Sequence, residues 1–139
     1  MRREKLVIDT NIWVSYFLGD IDKLVTAVYD CELQIFTTQQ LVDEIEDVLQ
    51  RPKLKKYFGG NVRDCVKLHL SLCERLPKKG MLKFICQEAP DSSDNFLFDL
   101  CLAAKAKILV SGDKPLLEAG NIRGIQVKSW KAFKKATGQ

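Results

Sequence analysis

The sequence lacks the features that mark several broad classes of protein. It contains a single histidine, His69, which excludes catalysis by a pair of histidines and a histidine-rich metal site within one chain. None of its apolar runs approaches the roughly 20 residues needed to cross a bilayer as a helix. Residues Met1–Lys5 lead into a short apolar segment rather than into the longer apolar region of a signal peptide. We therefore expect a soluble cytoplasmic protein without a membrane partner.

The cysteines also lack the pattern of a metal ribbon or a disulfide framework. The five lie at positions 31, 65, 73, 86 and 101, an odd number without a C-x-x-C pair. A structural zinc site requires paired short spacings, so we expect reduced thiols that act as small hydrophobic side chains. The chain also lacks the G-x-x-x-x-G-K-[ST] loop, which excludes a P-loop nucleotide site.

What the chain does contain indicates a single globular domain over residues 1–139. Its 46% hydrophobic and 29% charged residues are ordinary for a packed domain. The net charge of +4 is unevenly distributed: residues 1–50 hold four Lys/Arg against ten Asp/Glu, and residues 51–139 hold eighteen against eight. This asymmetry suits a protein that binds cations at one point and a polyanion around it, although an ordinary solvated surface also fits.

Short apolar runs alternate with amphipathic stretches along the chain, which is typical of an α/β fold with a parallel sheet and helices on both faces. Strands are predicted at Leu6–Ile8, Leu33–Phe36, Ile108–Val110 and Gly124–Val127, and Leu82–Ile85 is either a strand or an extended connection. Helices are predicted from Ile12 to Leu18, from an Asp20 cap to Tyr29, from Gln39 to Leu49, from Val62 to Leu76, from Asn95 to Lys105, and after Ser129.

Acidic residues follow two of the predicted buried strands. Asp9 ends the first strand, and Asp113 follows Ile108–Val110. Ligands of open parallel sheets bind outside the carboxyl ends of the strands, so these two carboxylates are expected to be neighbours. Asp94 heads the apolar helix that precedes the second of these strands, and we expect it near the same edge.

The helix Gln39–Leu49 supplies a further candidate. At about 100° per residue, Asp43 and Asp47 point away from its apolar face, whereas Glu44 and Glu46 flank that face. Periodicity therefore allows either glutamate to look inward along the sheet edge.

Clustered carboxylates repel one another, so a cation must offset their charge. No histidine or cysteine lies in these segments, and oxygen ligands alone favour Mg²⁺ or Mn²⁺. The reaction that such a site suits is phosphodiester hydrolysis by a metal-activated water. The basic segments Arg51–Lys56 and Lys128–Lys135 could then bind a phosphate backbone.

Each acidic residue also has an ordinary structural interpretation. Asp9 could simply end a strand, Asp94 could cap its helix, Glu44 could lie at the surface and Asp113 could belong to a turn. Asp99 lies within an apolar helix and needs a polar partner there, such as Thr10, Ser111 or a water molecule beside a ligand.

Four segments of the sequence, which occur in the same order in PIN-domain proteins, resemble that family. They are Val7–Ser15, Leu41–Lys53, Asp91–Leu97 and Ile108–Lys114. The sequence most resembles the prokaryotic branch that comprises toxins of toxin–antitoxin modules. One position departs from the family pattern, because Pro115 stands where a second acidic residue usually follows Lys114.

The resemblance implies a three-layer α/β/α fold and a ribonuclease that depends on Mg²⁺ or Mn²⁺. It also implies a cognate antitoxin as a protein partner, and homodimers are common in the family. Asp9, Glu44, Asp94 and Asp113 match its metal-binding and catalytic positions, which favours Glu44 over Glu46. Thr10, Asn11 and Ser111 match supporting polar positions, as do Asp91 and Asp99 with less defined roles. The candidate substrate-binding cations are Arg51, Lys53, Lys55, Lys56 and Lys114.

Two other functions remain alternatives. An aspartyl-phosphate phosphohydrolase needs a second aspartate where Asn11 stands, and a receiver domain needs an aspartate after Leu33–Phe36, where none follows. A non-catalytic module that binds metal or RNA on the same fold is the other alternative, because a fold does not guarantee an activity.

Overall fold

A central sheet with helices packed on both of its faces organises the chain. The computed structural model describes residues 3–30, 32–58 and 61–137. The strands are β1 (Glu4–Ile8), β2 (Leu33–Thr37), β3 (Cys73–Arg75), β4 (Ile108–Val110), β5 (Asn121–Ile122) and β6 (Ile125–Lys128). The helices are α1 (Thr10–Ser15), α2 (Ile21–Tyr29), α3 (Gln39–Leu49), α4 (Pro52–Phe58), α5 (Val62–Leu72), α6 (Asn95–Ala104), α7 (Lys114–Ala119) and α8 (Trp130–Thr137). The three-layer α/β/α class expected from the sequence is confirmed.

The two strands that carry the predicted carboxylates are neighbours at the centre of the sheet. Six strands within the described residues pair in the order β3-β2-β1-β4-β6-β5. Every pair is parallel except β5 with β6. Leu6 of β1 pairs with Ile108 of β4, so both strands end at the same edge. All three residues of β4 are buried, as the continuous apolar run predicts for a central parallel strand.

Several elements differ from the sequence-based predictions. The helix predicted to run to Leu76 ends at Leu72, because Cys73–Arg75 instead pair with β2 as an edge strand. Leu82–Ile85 is an extended connection without strand pairing. Asp20 makes no capping bond; it lies in a π-helical turn that joins α1 to α2, and it pairs with Lys134 at 3.2 Å.

The core forms where α6 packs against the sheet and where α3 packs against α1 and α5. Helix α6 is apolar nearly all round, and Leu97, Phe98 and Leu100 are fully buried. Helix α3 contributes one apolar face, which includes the fully buried Leu41 and Ile45. This packing sets the height of both helices relative to the carboxyl edge of the sheet, and thereby places the acidic residues at their ends and on their flanks.

The described cysteines behave as the sequence predicts. Cys86 and Cys101 are buried, Cys65 and Cys73 are half-buried, and these four are free thiols. Cys31 lies outside the described residues. Within the part of the chain that the structure describes, no helix has both the length and the apolar character that crossing a bilayer requires.

Candidate active site

Asp9 is held at the carboxyl end of β1 by hydrogen bonds to both of its carboxylate oxygens. Its Oδ1 accepts from the Thr10 backbone N–H at 2.7 Å, and its Oδ2 accepts from the Ser111 hydroxyl at 2.9 Å. Its own backbone N–H donates to the carbonyl of Val110 at 2.9 Å, which continues the pairing of β1 with β4. The carboxylate is therefore nearly buried and fixed in orientation, with 9% of the residue exposed.

Thr10 connects Asp9 to α3. While its backbone binds Asp9, its hydroxyl donates to Oε2 of Glu44 at 3.1 Å. Glu44 is half-buried, whereas Glu46 is exposed and faces a different groove. Of the two glutamates that periodicity left open, Glu44 is the one that lies beside Asp9.

Ser111 and Asp113 complete the edge after β4. The fully buried Ser111 hydroxyl accepts from the Asp113 backbone N–H at 3.1 Å while it donates to Asp9. Asp113 is the N-cap of α7, since its Oδ2 accepts from the Leu116 backbone N–H at 3.2 Å. A capping role thus accounts for one carboxylate oxygen of Asp113 and leaves the residue at the edge beside Asp9.

Asp91 precedes a single 3₁₀ turn before α6, and Asp94 is the last residue of that turn. Asp91 accepts hydrogen bonds from the backbone and hydroxyl of Ser93, at 2.9 and 2.8 Å, and these bonds lower its pKa. Asp94 occupies the N-cap position of α6, yet its side chain makes no capping bond. Capping the helix therefore does not explain an aspartate at position 94.

These groups open into one polar cleft of about 390 Å³. The cleft is lined by Asp9, Thr10, Asn11, Glu44, Asp47, Val48, Arg51, Asp91, Ser93, Asp94 and Asp113. Three of these, Asp47, Val48 and Ser93, were not predicted as site residues. Asp47 pairs with Arg51 at 3.5 Å, and the i,i+4 spacing of these opposite charges is a signal that could have found it.

A comparison with protein families decides what kind of domain carries this cleft. The family model described as PIN domain matches residues 5–115, a span that includes all four predicted metal-binding positions. The chain belongs to the PIN domain family. PIN domains are generally nucleases, and they typically use divalent metals.

A curated protein is also similar to most of the chain. An uncharacterized protein of Methanocaldococcus jannaschii, MJ1680, is 27% identical to this PIN domain over 117 residues. The alignment covers 81% of the chain and 73% of the relative. The similarity supports the shared domain, and the name of the relative adds no activity.

The carboxylates of this PIN domain perturb one another electrostatically. Burial and then the charges of Asp9 and Asp113 raise the pKa of Asp94 to about 6. Burial is also the main cause of the raised pKa of Asp9, which its bonds to Ser111 and Thr10 partly offset. Glu44 has a raised pKa as well, first through burial and then through the charge of Asp9. The cluster thus carries negative charge that the protein itself does not neutralise.

The donor set fits a hard divalent cation. All of the candidate ligands are oxygen atoms, and the raised pKa values show that the cleft favours uptake of positive charge. Over residues 3–30, 32–58 and 61–137, no group of three or more Asp, Glu, His or Cys side chains lies close enough together to ligate one ion directly. Magnesium commonly keeps several water ligands, which lets carboxylates that stand further apart share its coordination.

Other predicted residues lie outside the cleft. Oδ1 of the buried Asp99 accepts from the backbone N–H groups of Ile85 and Cys86, at 3.0 and 2.7 Å, rather than from Thr10 or Ser111. Lys114 is exposed on α7 and pairs with Glu118 at 4.0 Å. Arg51 lines the cleft, whereas the remaining predicted cations project from α4: they are Lys53, Lys55 and Lys56.

Proposed function

We propose that this PIN domain is a metal-dependent endoribonuclease and that it acts as the toxin of a toxin–antitoxin module. The observation that carries the nuclease proposal is the concentration of carboxylates in one cleft, where burial and neighbouring charges raise the pKa of Asp94 to about 6. Uncompensated negative charge of this kind destabilises a fold, and its retention at the carboxyl edge of a sheet indicates a binding role.

Asp9, Glu44, Asp94 and Asp113 are the residues that would hold Mg²⁺ or Mn²⁺. The chemistry supplied by a bound divalent cation is Lewis-acid activation of water and of the phosphodiester. Ser111 orients Asp9 by donating its hydroxyl proton to Oδ2.

Polar residues of the cleft hold its acids in place and reach the substrate. Thr10 orients Asp9 and Glu44 together through its backbone N–H and its hydroxyl. Asn11 is exposed on the cleft wall, where its amide can donate to a phosphate oxygen. Arg51 supplies positive charge at the rim, which favours entry of a polyanion into an otherwise acidic cleft.

Cleavage of a mixed structured and unstructured RNA with Mg²⁺, with Mn²⁺ and with EDTA tests the nuclease. We expect Asp9→Asn to reduce the rate at least about 100-fold, because it removes one charge from the cation site while it keeps the side-chain shape. Asp43→Asn is the matched control, since Asp43 is exposed on the same helix as Glu44 and does not line the cleft.

The outcomes separate the proposal from its alternatives. A fully active Asp9→Asn protein with normal Mn²⁺ binding by calorimetry would contradict the site assignment. Metal binding without cleavage in the wild type would favour the non-catalytic module, and activity only with a phospho-donor would favour the phosphohydrolase.

The toxin role needs its own test, because it rests on the family resemblance alone. We expect expression of the wild-type chain to arrest bacterial growth and Asp9→Asn to relieve the arrest. A cognate antitoxin in the cytoplasm should restore growth by binding the protein. We also expect a homodimer, which light scattering of the purified protein would detect. Growth that continues despite folded, active protein would remove the toxin role and leave the nuclease standing.

A further inference from the structure

Helix α4 is a basic helix that the fold does not need for its core. None of its residues is buried, and only Leu54 and Phe58 pack in part against neighbouring apolar side chains. Together with the preceding Arg51, the helix displays four cations: Arg51, Lys53, Lys55 and Lys56. A short helix of this charge that buries so little contributes little to stability, so its exposed surface is free to serve binding.

A groove of about 530 Å³ lies between α4 and its neighbours α3 and α5. Lys55 lines it from α4, and the exposed Arg63 and Lys67 line it from α5. No ion pair engages these three cations within the residues that the structure describes. Glu46 is the one acidic residue among those that line the groove, so its wall carries a net positive charge.

The two cations of α5 are spaced for a repeating anion. Arg63 and Lys67 are four residues apart on one helix face, which separates them by about 6 Å along the axis. That distance is on the scale of one nucleotide of an extended strand. The groove can therefore contact successive phosphates of one backbone.

An exposed aromatic ring lies on α4 two residues after Lys55, outside the residues that line the groove. Tyr57 is 65% exposed, and the ammonium of Lys56 lies 5.3 Å from its ring centroid. An exposed ring among cations is a platform on which an unpaired base stacks, and the bases of a duplex cannot reach it because they are already stacked on one another.

The groove adjoins the active-site cleft across the last turns of α3. Glu46 and Gln50 line the groove, whereas Asp47, Val48 and Arg51 line the cleft. Because these residues alternate around one helix end, a strand that crosses α3 passes from one depression directly into the other.

We propose that the α4–α5 groove binds an unpaired nucleic-acid strand and holds it next to the cleft. Lys55, Arg63 and Lys67 contact its phosphates in the groove, and Tyr57 stacks on one of its bases where the strand continues over α4 beyond the groove. The inference rests on the proposed function for the identity of the strand as substrate. Binding in the groove itself requires neither metal nor cleavage, so the two proposals can fail separately.

Fluorescence anisotropy in EDTA with a labelled single-stranded RNA of about 12 nucleotides measures this binding without cleavage. We expect the double variant Arg63→Ala/Lys67→Ala to weaken binding about 10-fold at low salt. Loss of two phosphate contacts should also reduce the steepness of log K against log salt by about 1.4. The matched control is Lys5→Ala/Lys107→Ala, which removes two exposed cations from a groove at the opposite, amino edge of the sheet.

The stacking contact has its own pair of variants. We expect Tyr57→Ala to weaken binding about 5-fold or more, and Tyr57→Phe to bind as the wild type does, because the ring and not the hydroxyl stacks. Tyr29→Ala is the control, since Tyr29 is 69% exposed but lies on α2. Circular dichroism establishes that each variant is folded.

An equal loss of RNA affinity in the Arg63→Ala/Lys67→Ala variant and in the amino-edge control would overturn the proposal, because it would indicate that the overall charge of the protein attracts the RNA. Duplex RNA that binds as tightly as the single strand, with Tyr57→Ala unchanged, would overturn the choice of an unpaired strand. If the Arg63→Ala/Lys67→Ala variant binds and cleaves RNA as the wild type does, the groove is not the binding site, but the proposed nuclease activity stands. If the wild type binds RNA through the groove but does not cleave it, the groove proposal stands and the proposed nuclease activity fails.

Discussion

Two small hydroxyl side chains determine how the acidic residues of the cleft are presented. Ser111 is fully buried and Thr10 is nearly so, and each donates to a carboxylate from a fixed position. Hydrogen bonds to an ionised acid favour the charged form, so both hydroxyls oppose the rise in pKa that burial causes. The side chain of Asp94 makes no capping bond with its helix, and its pKa is the one that reaches about 6.

The metal-free protein should therefore become more stable when Asp94 loses its charge. The pKa of Asp94 is raised from 3.8 to about 6 by folding, so the folded state binds the additional proton as pH falls through 6. At pH 7 Asp94 is largely ionised in the folded state, and its charge there lowers the free energy of unfolding. We expect Asp94→Asn in EDTA to raise the melting temperature at pH 7 by a few degrees, on the order of 1 kcal/mol after screening by solvent.

The same comparison at pH 5 provides the control for Asp94. Asp94 is then largely protonated in the folded state but still ionised in the unfolded chain, so the gain in stability from Asp94→Asn should fall to about half of its value at pH 7. A stabilisation of Asp94→Asn that is as large at pH 5 as at pH 7 would show that repulsion among the carboxylates is not its cause.

At the scale of elements, the long connection from β3 to α6 is fastened to the fold by side chains rather than by strand pairing. Asp99 of α6 accepts from the backbone at Ile85 and Cys86, and Asn95 accepts from Ala89 at 3.0 Å. Glu88 pairs with Arg123 at 2.9 Å, and hydrogen bonds from that guanidinium hold the pKa of Glu88 at about 2. Because Asp91 and Asp94 follow directly, these fastenings position one wall of the cleft.

Asp99→Ala should loosen this connection without dismantling the sheet. It leaves the backbone N–H groups of Ile85 and Cys86 without their acceptor, which costs about 2–3 kcal/mol. We expect faster hydrogen exchange at these two amides and unchanged protection in β1 and β4. Asp99→Asn keeps an acceptor oxygen and should lose less stability. An equal loss of stability in both variants would show that the charge of Asp99, rather than its acceptor oxygen, stabilises the connection.

A buried histidine joins α5 to β2 and α1. His69 is fully buried, its Nε2 lies 2.8 Å from the Thr37 hydroxyl, and its ring meets the Trp13 ring edge-on at 4.3 Å. Burial lowers the pKa of His69 from 6.5 to about 3. The imidazole therefore remains neutral in the fold at every pH at which the protein would work, which agrees with a packing role.

Because of this histidine, the free energy of unfolding should decrease as the pH is lowered. As pH falls below 6.5, the unfolded chain binds a proton at His69 that the folded chain does not bind, so stability is lost between pH 7 and pH 3. The loss amounts to about 2 kcal/mol between pH 7 and pH 5. We expect His69→Gln, which does not titrate, to escape this loss.

Urea unfolding of both proteins at pH 7 and pH 5 measures the effect. The carboxylate cluster is common to both and cancels in their difference, so the stability gap between wild type and His69→Gln should narrow by about 2 kcal/mol in acid. A gap that stays constant with pH would mean that His69 is protonated in the folded state.

Element boundaries were less predictable from the sequence than the elements that form the core. The apolar runs of β1, β2 and β4 identified these strands, because they are buried on both faces. Helix α4 is absent from the predicted helices because a proline cannot continue the helix before it, although proline does fit the first position of a new helix, where its missing N–H has no intrahelical partner. Strand β3 was missed because only pairing with β2 distinguishes it from a further helical turn.

At the scale of the whole molecule, topology made the cleft partly predictable. The rule that ligands lie beyond the carboxyl ends of parallel strands predicts that Asp9 and Asp113 are close, and the pairing of β1 with β4 confirms this prediction. Sequence periodicity could not choose between Glu44 and Glu46, because both flank one apolar face. It also could not show that Asp99 binds a backbone segment 13 residues away in sequence.

The pairing of β1 with β4 also has a consequence for how the protein is made. A nascent chain that ends before Ile108 already contains Asp9, Glu44 and Asp94, but it lacks the strand that closes the centre of the sheet and supplies Ser111 and Asp113. Residues this far apart meet only after most of the chain has left the ribosome. For an enzyme that cuts RNA, as proposed above, the cleft stays incomplete until β4 and the residues that follow it have been synthesised.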